Sequence, residues 1–210
     1  MIEIISHRGI WTKEEERNSL KSFDLSLKKG FGIETDIRDN KGGLIISHDV
    51  PFLSDNLITI DDFLTLYSSS KTNLMLALNI KADGLSHMLK EKLDHYGVSN
   101  YFVFDMSIPD SLSYSNESMI FYTRQSELEK KPALYEDSFG VWLDSFYSDW
   151  IDTDTIAFHQ NNNKKICIVS PELHGRPHEQ AWSKYKGLNL SNPELCFFLC
   201  TDFPIEARSY

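Results

Sequence analysis

Apolar residues recur along the chain in short runs: IEIIS at 2–6, FGIETDI at 31–37, LMLALNI at 74–80, YFVFDM at 101–106, MIFYT at 119–123, FGVWLD at 139–144, ICIVS at 166–170 and LCFFLCT at 195–201. Several are nearly continuous rather than alternating, the pattern of parallel strands buried on both faces. Between many of them the apolar spacing turns helical. Asn18-Ser19 opens SLKSFDLSLKKG, where Leu20, Phe23 and Leu27 share a stripe and Gly30 supplies the stop. TIDDFLTLYSS predicts a second helix capped by Thr59. GLSHMLKEKLDHYG predicts a third, with Leu85, Met88, Leu89 and Leu93 inward and its end at Gly97; HEQAWSKYKG predicts a fourth. Strands and crossovers in roughly 26-residue units predict an α/β fold, a TIM (β/α)8 barrel at the small end of that fold's range. An open doubly wound sheet is the alternative. The strand-four to strand-five connection, SIPDSLSYSNES, leaves room for only a short helix or none, and the tail DFPIEARSY gives a short or missing eighth helix. GGLIISHD at 42–49 interrupts the rhythm after the turn signal RDNKGG, and reads as the return arm of a hairpin extending strand two.

The 210 residues, without a visible linker, repeat or low-complexity tract, predict a single domain over 1–210. The formal net charge of −10 removes the electrostatic footprint of a nucleic-acid binder, so any anionic ligand must be held by local cations or a metal. No apolar stretch reaches the roughly 20 residues of a membrane span, so no stable membrane insertion is expected. The opening MIEIISHRG lacks the features of a signal peptide, and the expected location is cytoplasmic. Cys167, Cys196 and Cys200 form no CxxC pair and read as core thiols.

In such a barrel, chemistry sits at the C-terminal ends of the strands. Strand one ends at Ser6-His7-Arg8-Gly9. Strand two carries Glu34 and Asp36 at i, i+2, hence on one face. The hairpin arm ends at His48-Asp49, strand three at Asn79 and Lys81, strand six at Asp144, strand seven at Ser170-Pro171-Glu172-Leu173-His174 and strand eight at Thr201-Asp202. Singly, each has an ordinary structural explanation, such as a surface ion pair. Their coincidence at one rim distinguishes them: two histidines, two same-face carboxylates, an arginine and a lysine. His87, His95, His159 and His178 share no such coincidence. Arg124 is the strongest additional phosphate contact among the remaining arginines.

These motifs resemble the glycerophosphodiester phosphodiesterase family: SHRG at 6–9, Asn18-Ser19, GIETDIR at 32–38, GGLIISHD at 42–49, NIK at 79–81 and CTDFP at 200–204, in the family's order. The resemblance covers the first 81 residues well and, beyond them, mainly the last strand. It implies a short, divergent member of the phospholipase-C-like TIM barrels, a divalent cation (Mg²⁺ or Ca²⁺) and phosphodiester hydrolysis by paired histidines. By position it makes His7 and His48 the acid/base pair, Glu34 and Asp36 metal ligands, and Arg8 and Lys81 phosphate contacts. Asn79 stands where the family usually has a metal-binding glutamate. The chemistry agrees independently: two imidazoles near neutrality can exchange the protons, and hard oxygen ligands hold a hard cation.

Three departures refine the expectation. Asn79 brings an oxygen but no charge, and Glu172 is the carboxylate expected to help. The segment after His48-Asp49 runs through VPFLSDN into the second helix without the family's usual insertion. The resulting open site suits a bulky or polymeric head group better than a small one such as free glycerophosphocholine. The last third, with VWLDSF and SPELHGR, is expected to build its own recognition surface, with Trp142, Glu172 and His174 at the rim. Two other outcomes compete with hydrolysis: a non-catalytic phosphodiester-binding barrel with a degenerate metal site, and a lyase releasing a cyclic phosphate. The sequence carries no signal for oligomeric state.

Overall fold

The computed structural model describes residues 2–52, 57–191 and 193–210. Two compact units divide the chain: Ser6–Phe121, here the N-terminal unit, and Met1–Ile5 with Tyr122–Tyr210, the C-terminal unit. Strand β1 (Ile2–His7) contributes to both.

In the N-terminal unit, β2 (Gly32–Asn40) pairs in parallel with β5 (Leu76–Ile80), which pairs in parallel with β6 (Tyr101–Phe104). The far end of β2 pairs antiparallel with β3 (Gly43–Ile46), as the turn signal predicts, and β3 pairs with the two-residue β4 (Ile58–Thr59), which the sequence pattern did not announce. The register sets Glu34 beside Ala77 and Asp36 beside Asn79, with Phe102 and Phe104 next in line. Because side chains alternate along a strand, these six share one face, while Ile33, Ile37, Leu76, Leu78 and Val103 are buried on the other.

Helix α1 (Leu20–Lys29) packs on β2 and α2 (Ile60–Ser69) on β3 and β4, and α3 (Ser86–His95) and α4 (Ile108–Asn116) continue the row, each against the helix before it. Ser19 and Thr59 cap α1 and α2 with reciprocal side-chain and backbone bonds, and Gly30 ends α1 at φ 73°. Phe23 of α1 packs on Phe63 of α2 with ring centroids 4.7 Å apart; burying each ring contributes about 1.5–3 kcal/mol. The connection after β6 forms a nine-residue helix rather than none, because Ser107 caps it and Pro109 suits its first turn.

In the C-terminal unit, β7 (Tyr122–Gln125), β8 (Gly140–Leu143), β9 (Lys165–Val169) and β10 (Phe197–Thr201) pair in parallel in chain order. Val141, Leu143, Ile166, Ile168 and Leu199 form its core with Ile156 of α5 (Thr153–Asn161) and with Trp182 and Tyr185 of α6 (Glu179–Ser191). Helix α5 escaped the sequence reading because only Ile156 and His159 of its nine residues are buried. The tail forms the short α7 (Pro204–Ser209), as expected. Cys167 and Cys200 are buried, but Cys196 is exposed, since it precedes β10 rather than lying within it; the core-thiol reading is corrected there. Among the described residues, no helix is long and apolar enough to cross a membrane.

Candidate active site

The site in the N-terminal unit is built where β1 leaves its strand. Arg8 takes φ 57° and Gly9 φ 83°, so the chain turns sharply after His7. A Cβ on Gly9 would lie 2.5 Å from Ser22 Oγ, so only glycine lets the turn pass under α1. The turn is tied down from both sides. The Arg8 N–H donates to Glu34 O at 2.9 Å and to Glu34 Oε2 at 3.3 Å, while Arg8 O accepts from Asn18 N and Ser22 Oγ. Backbone strain of this kind is held only where neighbours over-determine it.

The turn aims two side chains at the polar face of β2. Arg8 Nε lies 2.9 Å from Asp36 Oδ2, and His7 Nε2 lies 3.8 Å from Glu34 Oε2. Just beyond the end of β5, Lys81 Nζ lies 3.4 Å from Asp36 Oδ1 and 3.9 Å from Asp105 Oδ2. Asn18 completes the arrangement, donating Nδ2 to Asp36 Oδ2 at 2.8 Å. Glu34 is 1% exposed and Asp36 0%. Burial, reinforced by the Asp36 charge, pushes the Glu34 carboxyl up to about 7 against the opposing pull of His7, Arg8 and Lys81.

Asp36 Oδ1 and Asn79 Oδ1 are buried without a hydrogen-bond partner, although their residues are register neighbours on one face. Unsatisfied buried oxygens are costly, and a hard cation is the partner that would satisfy them together with Glu34. The donor set of two carboxylates and an amide therefore fits Mg²⁺ or Ca²⁺. Among the described residues, no three His, Cys, Asp or Glu side chains form a group that could hold a metal ion.

His48 follows β3 and is half exposed, with Nδ1 2.9 Å from Asp49 Oδ1 and its carbonyl accepting from Arg38 Nη2 at 3.2 Å. Val50 and Phe52 just beyond it are strongly exposed; the rest of the VPFLSDN stretch, residues 53–56, lies outside the described residues.

The other sequence candidates belong to the C-terminal unit. Glu172 accepts from the hydroxyls of Ser170 and Thr201 and from the Asp202 N–H, so its carboxylate is engaged by its own unit. His174 Nε2 lies 2.5 Å from Asp144 Oδ1 and its ring packs on Phe146. Trp142 is buried within β8, not at a rim: strand alternation turns it inward. Arg124 is held by Glu129 at 2.5 Å, a partner from the following loop. His159 is buried between Tyr135 OH and Gln125 Oε1, and burial pushes its imidazole down to about 4.

Two residues of the site went unassigned by the sequence reading. Asn18 opens the first helix and belongs to the family-like motifs, but the sequence assigns it no role at the carboxylates. Asp105 lay at the end of a strand run, where the strand-end rule would have found it.

No protein-family model matches the sequence, and no curated protein matches it significantly. Solved structures do. A candidate glycerophosphodiester phosphodiesterase from Galdieria sulphuraria superimposes with a TM-score of 0.80 at 16% identity, covering 100% of this chain and 97% of that one. The glycerophosphodiester phosphodiesterase from Agrobacterium tumefaciens gives 0.70 at 14% identity, with 100% of both chains covered. The likeness runs the full length, and it bears out the fold class expected from the sequence: this chain has the α/β fold of the glycerophosphodiester phosphodiesterase barrels.

Proposed function

We propose that the chain is a divalent-cation-dependent phosphodiesterase, hydrolysing a glycerophosphodiester or a related sugar or glycerol phosphodiester. The observation that carries this reading is the polar face of β2 and β5. It presents Glu34, Asp36 and the unpartnered Asn79 oxygen between Arg8 and Lys81, with His7 at its edge. The fold shared with phosphodiesterase structures supports it.

In this reading Glu34, Asp36 and Asn79 hold Mg²⁺ or Ca²⁺. The cation, when bound, neutralises charge on the phosphoryl oxygens. Arg8 and Lys81 bind those oxygens and stabilise the charge that builds on them as phosphorus is attacked. One of His7 and His48 takes a proton from the attacking water as its oxygen bonds to phosphorus. The other gives a proton to the departing alcohol oxygen as the ester P–O bond breaks, leaving a phosphomonoester and an alcohol. Glu34 beside His7 Nε2 orients that ring, and Asp49 beside His48 Nδ1 does the same for its partner. A cytoplasmic setting belongs to the same proposal.

The test is turnover of bis(p-nitrophenyl) phosphate and a glycerophosphodiester panel with Mg²⁺, Ca²⁺ or EDTA, for wild type and His7→Ala. Cation-dependent turnover lost in the variant supports the reading. Turnover untouched by EDTA or by the substitution rejects it.

A further inference from the structure

Asn79 leaves the site short of one negative charge. Once ionised, Glu34 and Asp36 are matched by Arg8 and Lys81, so a divalent cation would enter a site with no net charge to attract it. Two buried oxygens of the site, Asp36 Oδ1 and Asn79 Oδ1, nevertheless accept no hydrogen bond. One of them, Asp36 Oδ1, faces the Lys81 ammonium at 3.4 Å, which competes with a cation for the same atom. Lys81 has a second anion within reach, Asp105 Oδ2 at 3.9 Å.

Asp105 reaches Lys81 through an unusual backbone. It follows Phe104, which is level with Asn79 in the β5–β6 register, so an extended Asp105 would point to the opposite face. Its φ of 71° instead turns the Cα–Cβ bond through about half a turn from the strand value. Aspartate is among the few residues that tolerate this region.

We propose that Asp105 supplies the charge that Asn79 lacks, acting as the counter-ion that holds Lys81 when Asp36 turns to a divalent cation. The inference rests on the cation-dependent reading above. With Asp105 the site carries three carboxylates against two basic side chains. A divalent cation and a singly charged phosphodiester then bring it to neutrality, and Lys81 keeps a fixed place from which to meet the phosphate. Asp105 is thus a positioning residue that acts through Lys81.

Calorimetric titration of Mg²⁺ and Ca²⁺ into substrate-free protein tests this directly. Asp105→Asn should weaken cation binding about tenfold. Asp105→Glu, which keeps the charge, should stay within about threefold of wild type. Asp105→Asn combined with Asn79→Glu should recover the affinity, because the charge is returned from β5. Melting in EDTA identifies any variant that fails to fold, and the Asp105→Glu and double variants then carry the test. Wild-type affinity in folded Asp105→Asn, or a double variant as weak as the single one, overturns the inference while leaving the cation site standing. A wild type that binds neither ion overturns the cation reading itself, and this inference with it.

Discussion

Asn18 donates its side-chain amide to Asp36 Oδ2 at 2.8 Å, and its own Oδ1 accepts from Thr35 Oγ1 at the same distance. The residue that opens α1 thus clamps two consecutive side chains of β2 and fixes the rotamer of the carboxylate at the centre of the site. Groups that hold a ligating carboxylate in place commonly matter almost as much as the ligand itself.

Asn18→Ala should therefore lower kcat/KM by 10- to 100-fold. It should also destabilise the protein by about 1–3 kcal/mol, since the Thr35 hydroxyl loses its acceptor in a buried place. Urea unfolding and steady-state kinetics on the same preparation measure both. A variant with wild-type turnover would show that Asp36 needs no such clamp.

Glu34 is a stability cost accepted at the site. Its folded-state carboxyl is pushed up to about 7 from an ordinary value near 4.5, by burial first and by Asp36 second. A raised carboxyl pKa means the folded state binds the extra proton. The contribution is fully present below the unfolded value and is lost as pH rises through 7. In EDTA at pH 8, Glu34→Gln should melt at a higher temperature than wild type, and the difference should shrink toward pH 5. The same variant should lose turnover. Calorimetric melts at the two pH values check this; a variant less stable at pH 8 contradicts it.

His159 sets an acid limit on the C-terminal unit. Desolvation lowers its imidazole from 6.5 to about 4, as expected for a ring enclosed between Tyr135 and Gln125. The unfolded chain then binds the proton first, so stability falls as pH drops from about 6.5 toward 4. The full loss is on the order of 3 kcal/mol. His159→Gln should flatten that part of the stability–pH curve while lowering stability at pH 7. An unchanged slope in the variant would assign the acid sensitivity to other groups.

What the sequence disclosed depended on how locally each feature is encoded. Glu34 and Asp36 share a face because the strand period is two, and the arm ending at His48 follows from a turn signal, so both were legible. Arg8 and His7 were legible as a motif, but the left-handed turn that aims them depends on Gly9 passing beneath Ser22, a contact across 13 residues of chain. Asp105 could be named from its strand end but not aimed, because its direction comes from one backbone angle. Helix α5 carries too little apolar periodicity to announce itself, and Trp142 was misplaced because a strand's last residues alternate inward as well as outward.

Direct hydrolysis, with His7 and His48 as the proposed acid and base, makes water the group that cleaves the phosphodiester. It is tested most directly by ³¹P NMR of a glycerophosphodiester incubated with the protein and Mg²⁺ or Ca²⁺ in ¹⁸O-enriched water. The account predicts a phosphomonoester resonance carrying the isotope shift of one solvent oxygen, absent with EDTA and absent in His7→Ala. A cyclic phosphodiester accumulating as the product would contradict direct hydrolysis, and an unchanged substrate resonance with both cations would contradict the assignment of a phosphodiesterase.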